Sequence, residues 1–192
     1  MRTFIAIDLP NDIKDVIAGL QERLKVPAAD VKWVAPENVH LTLKFLGEID
    51  EAKLDKVIKI IEGSAGNTHG FQLRLSSLGA FPKINFPRVI WVGIDRGEKE
   101  AKEIAEELEE KIAKIGIPKE ERSFSSHITI GRVRSAKNRD KLLKGLEAEA
   151  REFPNSEAGL EFYVSKITLF KSTLSAQGPT YEALKVANLK AS

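Results

Sequence analysis

Cysteine is absent from this chain of 192 residues, and so is any long apolar run. The absence of cysteine excludes disulfide bonds, thiolate metal ligands and a cysteine nucleophile, and it fits a reducing compartment. The apolar run at the start, FIAI, is short and soon meets Asp8, which does not fit a signal peptide, and a membrane span needs roughly 20 apolar residues. We therefore expect a soluble cytoplasmic protein that does not enter a membrane.

An excess of charge of one sign is also missing. The formal net charge is only +2 although 30% of the residues are charged, which argues against a protein that coats long duplexes by neutralising phosphates alone. The patterns G-x-x-x-x-G-K-[ST] and G-x-G-x-x-G do not occur. Neither a P-loop nor a Rossmann fingerprint therefore supports nucleotide-driven chemistry, and we expect no cofactor.

The chain does contain an internal repeat. Two short apolar runs end in Ile-Asp, and Asp8 precedes His40 by the same 32 residues that separate Asp95 from His127. Hydrophobic residues make up 42% of the chain and no low-complexity linker interrupts it, so a proper core can form in one domain or two intimate lobes. The sequence therefore predicts one structural unit used twice.

We predict a single domain over residues 1–192, with an internal repeat at about 1–87 and 88–192. Apolar residues at helical spacing predict two helices in each half. In the first half they are Ile13, Val16, Ile17, Leu20 and Leu24, then Leu54, Val57, Ile58 and Ile61; in the second, Ala101, Ile104, Ala105, Leu108, Ile112 and Ile115, then Leu142, Leu143 and Leu146. Further strands are predicted at 71–81 and 160–170.

Each half also carries an H-x-T motif in a strand-like run. Side chains alternate along a strand, so His40 shares a face with Thr42, and His127 shares a face with Thr129. If the two strands lie side by side, both imidazoles face one small volume. Near neutral pH one ring can accept a proton while the other donates one, as in-line displacement at phosphorus requires. The threonine hydroxyls can hold the non-bridging oxygens.

Other interpretations of these residues exist. A lone histidine on a strand is usually structural, but two in matched repeats are harder to explain in that way. A zinc site generally takes three protein ligands, and no further ligand lies at close spacing to either motif, so we expect no metal. Asp8 and Asp95 end apolar strands, which favours a role in turns. His69 lies among turn-forming residues, and we assign it no catalytic role.

A basic segment follows the second motif. It contains one acid, Asp140, and six basic residues: Arg132, Arg134, Lys137, Arg139, Lys141 and Lys144. The segment is either a solvated helix face with its entry loop or a phosphate-binding surface beside an active site.

Four segments resemble, in order and across nearly the whole chain, the RNA 2′,3′-cyclic phosphodiesterases, also called 2′-5′ RNA ligases, of the two-histidine phosphoesterase superfamily. They are WVAPENVHLTLKFLGE, LGAFPKINFPRVIWVGI, SFSSHITIGRVR and STLSAQGPTYEAL. The resemblance implies an α/β (α+β) fold that is bilobal, with two pseudo-symmetric lobes, each with an antiparallel sheet and flanking helices, around a central cleft. It also implies metal-free hydrolysis of a 2′,3′-cyclic phosphate at an RNA end to a 2′-phosphate, with reversible 2′-5′ end joining as a related activity.

The resemblance also assigns roles. His40 would be the proton donor and His127 the proton acceptor, with Thr42 and Thr129 as phosphate ligands. Arg132 falls where the family often has a phosphate-contacting arginine, but strict alternation puts it on the face of Ile128 and Ile130 unless the strand ends or bulges at Gly131. The nucleobase would stack on aromatic residues, for which the candidates are Trp33, Tyr181, Phe45 and Phe4. Core packing is the stronger expectation for Phe4 and Phe45, whereas Trp33 and Tyr181 stand in loop-like sequence.

Two functions of different class remain open. One is the cyclic phosphodiesterase; the other is a non-catalytic RNA- or nucleotide-binding module that uses the same cleft. Two complete H-x-T pairs favour the enzyme, because binding phosphate does not need two titrating groups. The expected partners are RNA ends carrying a 2′,3′-cyclic phosphate, with tRNA fragments as candidates, and we expect no obligate protein partner.

Overall fold

The computed structural model describes residues 1–26, 29–153, 155 and 159–191. Within these residues the chain forms nine β-strands and four α-helices. In chain order they are β1 (Arg2–Asp8), α1 (Asn11–Leu24), β2 (Val31–Trp33), β3 (His40–Glu48), α2 (Glu51–Asn67), β4 (Phe71–Lys83), β5 (Phe86–Ile94), α3 (Glu98–Ala113), β6 (His127–Val133), α4 (Arg139–Glu152), β7 (Glu161–Val164), β8 (Lys166–Ser175) and β9 (Gly178–Asn188).

The strands form two antiparallel sheets. The first sheet has the order β3-β1-β8-β9, and the second has the order β2-β6-β5-β4-β7. Every pairing within them is antiparallel. The two histidine strands, β3 and β6, belong to different sheets and contact each other. The α+β fold with two antiparallel sheets is thereby confirmed.

The sheets do not coincide with the two halves of the chain. Strand β4, from the first half, pairs with β5 of the second half, and β8, from the second half, pairs with β1 of the first half. The boundary near residue 87 lies inside β5. Each half therefore has two neighbouring strands in one sheet, β1 and β3 or β5 and β6, and contributes two strands to the other sheet, β2 and β4 or β8 and β9.

The helices match the apolar spacing in the sequence. In α1 the residues Ile13, Ile17, Leu20 and Leu24 are fully buried, as a one-sided apolar stripe predicts. In α3 the buried positions are Ala101, Ile104, Ala105, Leu108 and Ile112. No helix among the described residues has the length and apolar character needed to span a membrane.

Two local predictions were wrong. Residues 160–170 were expected to form one strand, but β7 ends at Val164 and pairs with β4, whereas β8 begins at Lys166 and pairs with β1. The chain crosses between sheets at Ser165, which alternation alone does not reveal. Trp33 and Tyr181 were expected in loops and lie in β2 and β9.

The aspartates are not equivalent, contrary to the repeat of 32 residues. Asp8 is the register partner of His40, whereas the partner of His127 is Gly93. Asp95 lies past the end of β5. Its carboxylate binds the Arg74 side chain at 2.9 Å and 2.6 Å. One histidine strand therefore has a carboxylate beside it, and the other does not.

A buried lysine ties the two halves together. Lys44 of β3 is 2% exposed, and its Nζ donates to Glu109 of α3 and to the Pro118 carbonyl, both at 3.0 Å. A buried charge of this kind needs such partners because desolvation is costly. The contact fixes the start of the segment that leads into β6 against the strand that carries the first motif.

Candidate active site

His40 stands at the first position of β3, with both ring nitrogens engaged. Its Nδ1 lies 2.8 Å from the carbonyl oxygen of Asn38, and its Nε2 lies 2.9 Å from Oγ1 of Thr42. A carbonyl only accepts, so Nδ1 carries the proton and Nε2 of the neutral ring accepts from the threonine hydroxyl. Asn38 is itself held because its side chain donates to the Pro179 carbonyl at 2.8 Å.

His127 begins β6 in the same manner. Its Nδ1 lies 2.8 Å from the carbonyl oxygen of Ser125, again two residues earlier in the chain. By the same argument Nδ1 carries the proton and donates to this carbonyl, which leaves Nε2 as the basic nitrogen. The two motifs therefore use one backbone device to fix the tautomer of each ring.

Each histidine strand contains a β-bulge three residues after its histidine. In β3 the register passes from Ala6↔Thr42 to Ile5↔Lys44, so Leu43 is the extra residue. In β6 it passes from Trp91↔Thr129 to Ile90↔Gly131, so Ile130 is extra. A bulge reverses the alternation beyond it.

Through these bulges Phe45 and Arg132 lie on the same face as the histidine of their strand. Arg132 pairs with Val89, and His127 pairs with Gly93. Val89 and Gly93 are four residues apart in β5, so Arg132 and His127 lie on the same face of the sheet. Phe45 is 55% exposed, so the expectation that it packs in the core was wrong. Arg132 could share the face of His127 only if the strand ended or bulged near Gly131, and the bulge at Ile130 meets this condition.

Aromatic rings surround His40. Phe4 stacks on the imidazole with ring centroids 4.7 Å apart, and Tyr181 meets it edge-on at 5.4 Å. Phe4 is 4% exposed, so it is a core residue that also packs against the His40 ring. Tyr181 lies beside the histidine, as its candidacy as a nucleobase wall requires.

Two aromatic residues near His127 were missed in the sequence. Phe81 meets its ring edge-on at 5.0 Å, and Trp91 lies 5.2 Å from Phe81. A Cβ on Gly79 or Gly93 would come within about 3 Å of the indole ring of Trp91, so glycine at these positions lets the ring lie flat on the sheet. The signal was present as aromatic–glycine alternation in LGAF and WVG.

Trp33 is on the wrong face for a nucleobase wall. It pairs with Gly131, which is paired in turn with the fully buried Ile90. Trp33 is half-buried and packs against the hydrophobic core. Its neighbour Lys32 is instead paired with Arg132 and shares the face of that arginine.

Burial governs the electrostatics of His40. Desolvation lowers its pKa below the ordinary value; the hydrogen bond to Asn38 and the charge of Asp8 act in the opposite direction, and Lys14 adds to the lowering. Asp8 and Lys14 form an ion pair of 2.9 Å. This histidine therefore has both a carboxylate and an ammonium group near it.

The surroundings of His127 differ. Desolvation again lowers its pKa, the hydrogen bond to Ser125 opposes this, and the charge of Arg132 lowers it further. Burial raises the pKa of Tyr181, and the charge of Arg132 counteracts that rise. The charge of Arg132 therefore acts to lower the pKa of His127 and the pKa of Tyr181, whose ring contacts His40. The strands that carry the two motifs, β3 and β6, contact each other, and we call the surface that carries His40, Thr42, His127 and Thr129 the two-histidine cleft.

The lowered pKa values predict a pH dependence of stability. Between the folded-state values and about 6.5 the unfolded chain binds more protons than the folded chain. The stabilising contribution is therefore complete above about pH 6.5 and is lost as the pH falls through the folded-state values. We expect the free energy of urea unfolding to fall less over this range in His40→Gln/His127→Gln than in the parent. The surface variant His69→Gln is the control, and an unchanged pH dependence in the double variant would contradict the argument.

The remaining candidates lie outside the cleft. His69 is exposed, and its Nδ1 lies 3.1 Å from the Ala191 carbonyl. Asp95 is engaged by Arg74. Across the described residues, no group of three or more histidine, aspartate or glutamate side chains has the arrangement to hold a metal ion.

Comparison with known proteins yields one family. A family profile described as LigT-like phosphoesterase matches residues 7–91 and again residues 92–181. The chain is 39% identical over 185 residues to a Methanocaldococcus jannaschii protein named RNA 2′,3′-cyclic phosphodiesterase, with 96% of this chain and 99% of that protein covered. A protein of the same name from Aquifex aeolicus is 34% identical over 186 residues, with 96% and 95% covered.

Solved structures show the same fold. The protein TT0787 of Thermus thermophilus superposes with a TM-score of 0.81 at 27% identity, covering 100% of this chain and 99% of that one. Escherichia coli LigT complexed with 3′-AMP gives a TM-score of 0.77 at 27% identity, covering 98% and 97%.

Proposed function

The chain belongs to the LigT-like phosphoesterase family, and from this premise we propose that it hydrolyses RNA ends carrying a 2′,3′-cyclic phosphate to 2′-phosphates. The matched pair of imidazoles carries the proposal. A backbone carbonyl two residues earlier binds Nδ1 of each ring, so both rings keep Nε2 for proton transfer. This is also the activity for which the relatives from M. jannaschii and A. aeolicus are named.

The reaction is an in-line displacement. Water attacks phosphorus while Nε2 of His127 takes its proton, and the bond from phosphorus to O3′ breaks while protonated His40 gives its Nε2 proton to O3′. The bond from phosphorus to O2′ survives, so the products are a 2′-phosphate and a free 3′-hydroxyl. Proton exchange with solvent then restores both rings.

The asymmetry of the two strands supports these roles. Asp8 lies beside His40 and favours its protonated form, whereas Arg132 favours the neutral form of His127. Both rings are otherwise disposed by burial to be neutral, and an anionic phosphate in the cleft favours protonation of the ring that lacks the arginine. His40 is then the donor and His127 the acceptor.

The hydroxyls and the arginine hold the phosphate. Thr42 donates to Nε2 of His40 in the free protein, and the same hydroxyl can turn to a non-bridging oxygen when His40 is protonated and no longer accepts. Thr129 holds the equivalent position in β6. Arg132 supplies the positive charge that balances the charge developing on the oxygens in the transition state.

We expect turnover without a divalent metal. The two imidazoles provide both proton transfers, and the described residues supply no adequate ligand set around them. Purified protein, dialysed against EDTA, should convert an RNA oligonucleotide ending in a 2′,3′-cyclic phosphate to the 2′-phosphate at the rate of the untreated sample. Activity lost on dialysis and restored by zinc or manganese would contradict the metal-free mechanism.

The same assay separates the alternatives. A non-catalytic RNA- or nucleotide-binding module would retain the oligonucleotide but leave the cyclic phosphate intact. If the 5′-hydroxyl of another RNA replaces water, the same proton transfers give a 2′-5′ linkage, so end joining is the related activity to look for among the products. That tRNA fragments are substrates, that the protein is cytoplasmic and that it needs no protein partner stay predictions.

A further inference from the structure

An exposed aromatic residue lies among arginines outside the two-histidine cleft. Phe86, the first residue of β5, is 41% exposed. The guanidinium carbon of Arg139 lies 4.8 Å from its ring centroid, and that of Arg88 lies 5.9 Å from it. A ring held in this way keeps a defined orientation at the surface, where water would otherwise favour its burial.

The cluster lies at the end of the second sheet that Arg132 also reaches. Arg132 pairs with Val89, the residue after Arg88, and Arg88 is the extra residue of a bulge between the pairs Phe81↔Val89 and Pro82↔Pro87. His127 and Arg132 pair with Gly93 and Val89, which are four residues apart along β5, or roughly 13 Å at the rise of a strand. An RNA strand whose end is in the cleft and that runs past Arg132 toward the start of β5 would reach Phe86.

The charge on this path is uncompensated. Arg88, Arg132 and Arg139 form no ion pair with any carboxylate of the described residues. Arginines elsewhere do pair, as Arg74 does with Asp95 and Arg96 with Glu161. Positive groups spaced along a path, with an aromatic ring between them, fit single-stranded nucleic acid because phosphates bind the cations and a base stacks on the ring.

We propose that Phe86, Arg88 and Arg139 form a second binding site, which takes a base and its flanking phosphates several nucleotides upstream of the cyclic phosphate. The proposal rests on the proposed function and extends it, because it makes the preferred substrate a single-stranded 3′ end and not a mononucleotide. Base stacking is tolerant of sequence, so the site contributes length preference and not base preference.

The test is a length series. For the parent, KM should fall from a mononucleoside 2′,3′-cyclic phosphate through a tetranucleotide to a decanucleotide with the same cyclic end. Phe86→Leu should raise KM for the decanucleotide about tenfold, as expected when a stacked base is lost, and leave the mononucleotide unchanged. Phe86→Trp should keep KM for the decanucleotide near the parent value, because tryptophan also stacks on a base. Arg139→Ala should reduce the slope of log KM against log salt for the decanucleotide by about 0.7 per lost phosphate contact.

Arg151→Ala is the matched control, since this exposed arginine lies in the last turn of the same helix. Unchanged mononucleotide hydrolysis shows that each variant is folded. A parent KM that does not depend on length, or full length dependence in Phe86→Leu, would overturn the second site while the phosphodiesterase stands. Failure of the parent to hydrolyse either the mononucleotide or the oligonucleotides would instead overturn the proposed function.

Discussion

His127→Ala should lower kcat/KM for a 2′,3′-cyclic phosphate by about 10²–10⁴-fold, and His40→Ala should do the same, because each removes one proton transfer from the transition state. The double variant should be little worse than the worse single variant, since the two rings act as one unit. Binding of a 2′-phosphorylated product should survive better than turnover, because Thr42, Thr129 and Arg132 remain. Rates and product affinity are measured on the same preparations.

The choice of leaving group separates the two roles. A phosphodiester with an aryl leaving group needs no protonation, so it should recover much of the activity of His40→Ala and little of that of His127→Ala. His69→Ala serves as the control because His69 is at the surface, outside the cleft. Turnover near the parent rate in a folded His127→Ala protein would make that histidine structural, and recovery in His127→Ala alone would exchange the two assignments.

Arg132→Ala should cost about 10²–10³-fold, mostly in kcat, because it removes a charge aimed at the transition state. Arg132→Lys should recover part of the loss, since a lysine supplies the charge but not the planar fork of two donors. The pH–rate profile gives a second readout. Removing the arginine charge relieves a cause that lowers the pKa of His127, so the limb that reports the base should move to higher pH.

A variant that only disturbed folding would not move that limb. Arg151→Ala removes an equal charge from the surface at the far end of α4, and its rate and profile should match the parent. A loss in Arg132→Ala that appears entirely in KM, with an unmoved profile, would assign Arg132 to ground-state binding of the phosphate and not to its displacement.

The sequence predicted the helices and the histidine strands because each depends on a local period, whereas the fold class followed from the resemblance to the two-histidine phosphoesterases. Alternation failed at Phe45 and Arg132, where one extra residue in each strand reverses the faces. The bulge at Leu43 has no glycine or proline directly beside it, so no local signal marks it, whereas Gly131 follows Ile130 and marks a place where β6 can bulge. Only pairing with the neighbouring strand defines which residue is extra.

Non-local pairing also explains the other errors. The equal 32-residue intervals suggested that Asp8 and Asp95 correspond, but register places Gly93 opposite His127. Trp33 is on the core face because β2 pairs with β6, a contact that joins distant parts of the chain. Tyr181 comes beside His40 because β9 pairs with β8, which pairs with β1. Loop-like composition could not indicate either strand.

The exchange of strands between the halves makes the two histidine strands parts of one cooperative unit. β8 completes the sheet that holds His40, and β4 completes the sheet that holds His127, so opening either half strips a paired strand from the sheet of the other. Partial unfolding that spares one histidine while losing the other is therefore disfavoured. We therefore expect the molecules in solution to be either fully competent or globally unfolded, with no populated half-site that binds cyclic RNA ends without turning them over.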